Sequence, residues 1–365
     1  MSRRRAKAIG VGLPSPRMQG WVIRGKGNPS EVFEWRDAPE PSHAAMRELT
    51  VDLSGLRTRQ KDEPPASDYL FVRVLAAALA TPDVTMATGE YPVPIERPYV
   101  SGQEAVAIVE ETSPGLERWI GKRVMGFTSQ PFGSFAPRAV MFSTMLYEVP
   151  ESMSDTDAAG FVIPSHTAYH AVHRRGQVRA GETVLVLGAG GGVPSSAVQL
   201  TAAAGCRVIA VAGGEEKVEF CRKLGAQIAI DHQREDFVEA VLRAVGPAAI
   251  DVIIDFVQGT PGKRARPLLA VEGRHVLAGH AAGLIEIHPN EFYLQNWTLV
   301  GVCVGGGYGA RTLELEEAAH RHVMGLHSSG RYRATTTRVI DMREIPAALT
   351  DLHERRTIGR VVAVP

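Results

Sequence analysis

The stretch Val184-Leu185-Val186-Leu187-Gly188-Ala189-Gly190-Gly191-Gly192-Val193-Pro194 decides how this chain is read. Four apolar residues of strand type run straight into glycines, and a helix-compatible stretch follows. Such glycines permit a tight turn. They also let backbone N–H groups close on a pyrophosphate at the start of the next helix, where the dipole favours negative charge. A glycine cluster alone is equally a flexible turn. Set between a strand and a helix inside a β-α-β unit, it reads as a dinucleotide-binding loop. The N–H groups of Gly192 and Val193 are the expected pyrophosphate donors, with Gly188 and Gly191 shaping the turn.

From about residue 155 to 304, apolar strand-like runs alternate with helical stretches. Strands are expected at 184–187, 208–211, 228–230, 252–255, 275–277 and 299–302, with helices at 197–205 and 215–224. This alternation predicts a doubly wound parallel sheet with helices on both faces, an α/β Rossmann domain. The second strand ends in Ala212-Gly213-Gly214, without the acid that holds a ribose 2′-hydroxyl in NAD enzymes. Gly213 and Gly214 leave room for a 2′-phosphate and Lys217 supplies charge, so NADPH is expected over NADH. Glu215 and Glu216 are read as solvated near a helix N-terminus, where the dipole favours them.

Upstream, residues 18–154 read as short strands punctuated by Gly and Pro, with strands at 19–24, 69–75, 105–110 and 123–126. This is a β-rich domain built as a partly open barrel. Residues 305–365 return to it with a helix at 313–328, a strand at 335–340, a helix at 344–355 and a closing strand at 360–364. Residues 1–17 read as a disordered tail, and 42–67, polar and charged, as an inserted surface loop.

Composition narrows the functions. Lys plus Arg and Asp plus Glu number 40 each, which points to no nucleic acid or anionic membrane as partner. No apolar run reaches the length of a membrane span. The three cysteines, Cys206, Cys221 and Cys303, show neither zinc-pair nor redox spacing, so a reducing cytoplasm is expected. The histidines are read as lacking a helical i, i+4 pair, and no metal is expected.

Several segments together resemble the medium-chain dehydrogenase/reductase superfamily, in its zinc-independent quinone oxidoreductase branch. They are Pro98-Tyr99-Val100-Ser101-Gly102-Gln103-Glu104, Thr167-Ala168-Tyr169-His170-Ala171, the loop 188–193, Glu215-Glu216-Lys217, Leu224-Gly225-Ala226 and Gly359-Arg360-Val361-Val362. The resemblance implies a GroES-like catalytic domain beside the Rossmann domain. Gln103 stands where zinc-dependent members carry a histidine ligand, and no cysteine stands near Thr81 for another. Pro194 replaces the family's third glycine, a change that a helix's first turn tolerates.

By the resemblance, the nicotinamide lies between the domains beside Thr167, and Arg360 lies near the pyrophosphate. Thr85 and Tyr91 fall in a loop expected to face the cleft and donate to a substrate oxygen. His232 is expected near the adenosine phosphate, Val257 over the adenosine half, and Gly279 and Val302 on the nicotinamide side. His166 and His280 are further candidate proton donors. The function expected is NADPH-dependent reduction of a small quinone or α,β-unsaturated carbonyl. An enoyl-thioester reductase of a polyketide or acyl pathway and a catalytically silent NADPH-binding sensor are the alternatives. The apolar strand 297–302, as a sheet edge, predicts a homodimer.

Overall fold

The structure is a computed structural model that describes residues 17–48, 68–91, 95–304 and 311–365. Residues 1–16 of the tail expected at 1–17 and most of the insert, 49–67, lie outside the described residues, and Arg17 begins a strand.

Seven strands precede the dinucleotide-binding unit: β1 (Arg17–Ile23), β2 (Phe33–Pro39), β3 (Tyr69–Ala78), β4 (Tyr99–Val100), β5 (Glu104–Thr112), β6 (Arg123–Thr128) and β7 (Arg138–Glu148). Six more form that unit: β8 (Thr183–Leu187), β9 (Arg207–Ala212), β10 (Ile228–Asp231), β11 (Ile250–Asp255), β12 (Leu269–Leu277) and β13 (Thr298–Gly301). The chain closes with β14 (Thr336–Asp341) and β15 (Arg360–Val364).

Strands β8 to β13 are short and rich in Val, Ile and Leu because both faces are covered. Val184, Leu185, Val186, Ile253 and Ile254 are fully buried. Truncating one such side chain, as in Leu185→Ala, costs about 2–5 kcal/mol. The sheet runs β10-β9-β8-β11-β12-β13 with every adjacent pair parallel. The strand order therefore reverses between β8 and β11. Ligands of such sheets bind beyond the carboxyl ends of the strands at that reversal, and both the glycine loop and Val257 lie there.

The other large sheet runs β14-β15-β3-β5-β6-β7, and an extra β3–β7 pairing closes four of its strands into a small barrel. Strand β15 joins through Val362 opposite Ala78, so the C-terminal segment completes the barrel sheet. Strands β1, β2 and β4 form a separate three-stranded sheet. The sequence reading missed β2, β4 and the eleven-residue β7. In β7, Arg138, Ser143 and Thr144 dilute the alternation, and its register is set by β3 and β6 rather than by local pattern.

Three corrections concern boundaries. The helix after the glycine loop starts at Gly192 rather than 197, directly off the loop. Strand β12 starts at Leu269 rather than 275 and carries Glu272 at φ 62. The insert does not begin as loop: His43–Glu48 is helical, with Met46 fully buried against Tyr69, Phe71 and Phe142.

Candidate functional site

The glycine loop is shaped by close approach. Gly188 has φ +74, and a Cβ there would stand 2.9 Å from a Val257 methyl, so β8 and β11 meet at this turn. The helix Gly192–Ala203 follows with Gly191 at its N-cap. Pro194 lies in the first turn and leaves it intact: Ser195 N–H donates to Gly191 O at 3.0 Å and Ser195 Oγ to Gly192 O at 2.8 Å. From the other side, Gly359 N–H donates to Gly190 O at 2.9 Å, tying the start of β15 to the loop.

At the tip of β9 the chain is equally bare. A Cβ on Gly213 would lie 2.9 Å from His232 Nε2, so the structure brings these two expected residues together. Gly214, at φ 91, donates its N–H to Asp231 Oδ1 at 2.8 Å. That hydrogen bond and one from Gln233 N–H hold the Asp231 carboxyl below its usual range. The Lys217 stem lies over Gly190, and its ammonium donates to Arg355 O. Burial lowers the Lys217 pKa, and the positive charge of Arg355 lowers it further. Arg355 also reaches Ala281 O at 2.7 Å, so the segment before β15 spans from Lys217 to the loop after β12. The sequence reading missed Arg355, since nothing local marks an arginine 138 residues beyond Lys217 as its neighbour. Glu215 pairs with Arg234 at 2.6 Å. Glu215, Glu216 and Glu219 line a groove of about 670 Å³ with Phe220, Thr337 and Ile358.

Toward the other end, Gln258 Nε2 donates to Gly279 O at 2.6 Å and Val302 N–H donates to Leu277 O at 3.0 Å. Gln258, held at φ 54, receives support from Asp255 Oδ1, which accepts the N–H groups of Val257 and Gln258. His280 is exposed after β12.

Arg360 lies against the glycine loop, its Cδ 2.5 Å from where a Cβ on Gly192 would stand, with its guanidinium turned inward. That guanidinium is buried and paired with Glu104, whose other oxygen accepts Ile163 N–H at 2.8 Å. Burial pushes the Glu104 carboxyl up to about 7, while Arg360 pulls against it. The pair thus ties β15 to β5 and to the helix Val162–Tyr169.

The barrel side also departs from expectation. Residues 81–88 are a helix, not a loop. Asp83, fully buried, accepts Ala80 N–H at 2.9 Å, and burial raises its pKa to about 7. The Thr85 hydroxyl donates to Pro82 O at 3.3 Å within its own helix. Tyr91 is half-buried, hydrogen-bonded to Gln103 and within the electrostatic reach of Cys303. Thr167 Oγ1 donates to Ile163 O at 2.6 Å.

Among the histidines the sequence reading was wrong. His166 and His170 are a helical i, i+4 pair, and they face a second such pair, Glu316 and His320, on the helix Thr312–Ser328. His166 Nδ1 lies 2.9 Å and His170 Nε2 3.2 Å from the Glu316 carboxylate, and all three side chains are fully buried. Burial would push Glu316 up, but hydrogen bonds from both histidines outweigh it and bring its pKa to about 2. The spacing was visible; that the two helices pack together was not. Among the described residues, no group of three or more His, Cys, Asp or Glu is arranged to hold a metal.

Two family models match this chain, an alcohol dehydrogenase GroES-like domain over residues 66–151 and a zinc-binding dehydrogenase domain over residues 192–321. A quinone oxidoreductase of Rattus norvegicus is 28% identical over 239 residues, 65% of this chain and 72% of its own length. A 2-haloacrylate reductase of a Burkholderia species is 25% identical over 353 residues, covering 94% of this chain and 98% of its own. Among solved structures, an Escherichia coli quinone oxidoreductase complexed with NADPH superposes with a TM-score of 0.79 at 21% identity, over 95% of this chain and all of that one. With its barrel, its parallel sheet and its glycine loop, the chain belongs to the medium-chain dehydrogenase/reductase superfamily, in its quinone oxidoreductase branch.

Proposed function

We propose that this oxidoreductase binds NADPH and uses it, without zinc, to reduce a small quinone or α,β-unsaturated carbonyl. One observation carries the cofactor reading: β9 ends at Gly213-Gly214 without the carboxylate that an NAD enzyme places there, and Lys217, with the Arg355 charge acting on it, lies over the neighbouring glycine loop. A cation at this place suits a 2′-phosphate. The glycine loop fits the same ligand, since no side chain caps the helix N-terminus that a pyrophosphate would meet. The residues present therefore fit NADPH, which when bound supplies a hydride. The protein's own part is to orient the ring between Thr167, Gly279 and Val302, and to meet the developing charge on the substrate oxygen. Tyr91, hydrogen-bonded to Gln103, is favoured as barrel-side donor over Thr85, whose hydroxyl is engaged within its own helix.

Zinc independence rests on Gln103 and Thr81, neither of which replaces the missing histidine or cysteine ligand. The domain limits expected from sequence, 18–154 with 305–365 and 155–304, are kept as proposals, as is a cytoplasmic location. Among the described residues, no helix is long and apolar enough to cross a membrane. A homodimer is proposed through β13. That strand ends the sheet order, and exposed Leu284, Tyr293 and Leu294 lie in the segment leading to it. A monomer mass by light scattering at micromolar concentration contradicts the dimer.

The reading is tested by loss of reduced-nicotinamide absorbance with a panel of quinones, enones and enoyl thioesters. Turnover of a quinone or enone supports it. Turnover of thioesters alone moves the substrate to the acyl class. NADPH binding without turnover leaves a silent binding protein.

A further inference from the structure

The turn after β11 holds a residue in an uncommon backbone state. Gln258 stands at φ 54 and ψ −142, close to a region that glycine alone adopts freely. A side chain kept there against that strain points to a function for the side chain. It is buried, and both ends of its amide are engaged. Gln258 Nε2 donates to Gly279 O at 2.6 Å, and Ile285 N–H donates to Gln258 Oε1 at 3.3 Å. One amide thus pins the loop after β12 at two points.

The amide is itself held in place. Asp255 Oδ1 accepts Val257 N–H at 2.8 Å and Gln258 N–H at 2.7 Å. Its other oxygen lies 2.9 Å from His275 Nε2, and both side chains are fully buried. The helix Gly259–Ala265 backs onto that same oxygen so closely that a Cβ on Gly262 would have no space. The carboxylate therefore has no room to turn. Backbone contacts also join the two loops: Ala278 N–H donates to Asp255 O at 2.9 Å and Ala282 N–H to Val257 O at 2.8 Å. On its other side, Val257 packs against Gly188 of the glycine loop.

We propose that Gln258 is a positioning residue for the nicotinamide ring, an inference that rests on the NADPH-dependent reductase reading above. Its amide sets the place of the Gly279 backbone, which on that reading forms one wall of the ring pocket. Asp255, held by His275, sets the place of Gln258 in turn. The effect is one of preorganisation. A loop pinned at Gly279 and Ile285 presents a single wall to the ring, and a ring already held near its reacting geometry has little rearrangement left before hydride transfer.

Without the amide, the loop after β12 keeps its backbone contacts to Asp255 and Val257 and loses the pins at Gly279 and Ile285. The adenosine half of the cofactor, proposed over Val257 and at the Gly213-Gly214 tip, meets neither pin. Its binding is therefore separable from that of the ring.

The test uses two ligands, NADPH and 2′-phospho-ADP-ribose, which lacks the nicotinamide, with wild type, Gln258→Met and Gln258→Gly. Methionine keeps the length of the side chain and removes both hydrogen bonds. Glycine removes them and relaxes the backbone. The proposal predicts that both variants bind 2′-phospho-ADP-ribose within about twofold of wild type, while NADPH binding weakens about tenfold. The emission of bound NADPH moves toward that of free NADPH. With a quinone or enone, kcat falls about tenfold or more and the KM for that substrate changes little. Wild-type NADPH binding, emission and kcat in both variants overturn the proposal and leave the reductase reading standing. Equal weakening of both ligands together with a lower melting temperature also overturns it, because the residue is then structural alone. Should Gln258→Met not fold, Gln258→Gly decides; if neither folds, the residue is structural and the proposal is overturned. If wild type binds NADPH and reduces none of the substrates, the reductase reading fails, and the two-ligand comparison with the emission still decides the positioning.

Discussion

The two walls of the cleft are built from different materials. The dinucleotide wall is made of backbone: glycines at strand ends, a helix N-terminus and carbonyls that side chains reach. The barrel wall and the helices behind it are made of side chains that meet across long sequence separations. Glu104 meets Arg360, His166 meets Glu316, and Tyr91 lies beside Gln103 and Cys303. A backbone site needs a few residues in a row, so it is written locally. A side-chain site depends on which elements pack together, so it is not.

The largest expected effect breaks the side-chain wall. Glu104→Ala leaves Arg360 buried without its carboxylate, and removing one partner of a buried ion pair costs about 3–5 kcal/mol. Urea unfolding reads this directly, and a loss under about 1 kcal/mol would show that the pair ties nothing together. The opposite pattern is expected of the backbone wall. Lys217→Ala and Arg355→Ala each weaken NADPH binding about tenfold, or about 1.4 kcal/mol, with NADH binding and melting temperature unaffected.

Acidification sharpens the contrast. Burial depresses the pKa of His166, lowers His173 to about 4 and lowers His320 to about 3, each below the unfolded value of 6.5. The unfolded chain therefore takes up protons first. Stability is complete above the unfolded pKa and is lost progressively from pH 6.5 down toward 3–4. Glu316, depressed to about 2, adds a loss that begins below its unfolded 4.5. Melting temperature measured from pH 7 to pH 4.5 should fall, and less steeply in His320→Phe; equal slopes would contradict the burial account.

The smallest effect is Thr85→Val. Its hydroxyl serves its own helix, so kcat/KM should change less than about twofold while Tyr91→Phe loses about tenfold or more. A larger loss from Thr85→Val would restore that hydroxyl to the cleft.

The same division governs what the sequence disclosed. The six strands of the parallel sheet were legible because strands buried on both faces read as unbroken apolar runs. The Lys217 proposal was drawn from the strand tip and the start of the next helix. Arg355 was hidden by distance along the chain. Thr85 was assigned to a loop by resemblance to the family, whereas residues 81–88 form a helix with Pro82 in its first turn, where proline is tolerated. Arg360 was placed near the glycine loop by family position, and its stem does lie on Gly192, but its buried partner Glu104 had no local signal. The histidine network lay in plain spacing and was overlooked, since two i, i+4 pairs mean little until their helices are known to face each other.

The central claim is that NADPH is recognised by Lys217, with Arg355 close by, beside a β9 that ends without a carboxylate. The direct measurement is a fluorescence titration of NADPH and NADH into the wild type, Lys217→Ala and Arg355→Ala. The account predicts that wild type binds NADPH at least about tenfold tighter than NADH, and that each substitution erodes the preference. Equal affinity for both nucleotides in wild type, or no binding of either below about millimolar, contradicts it.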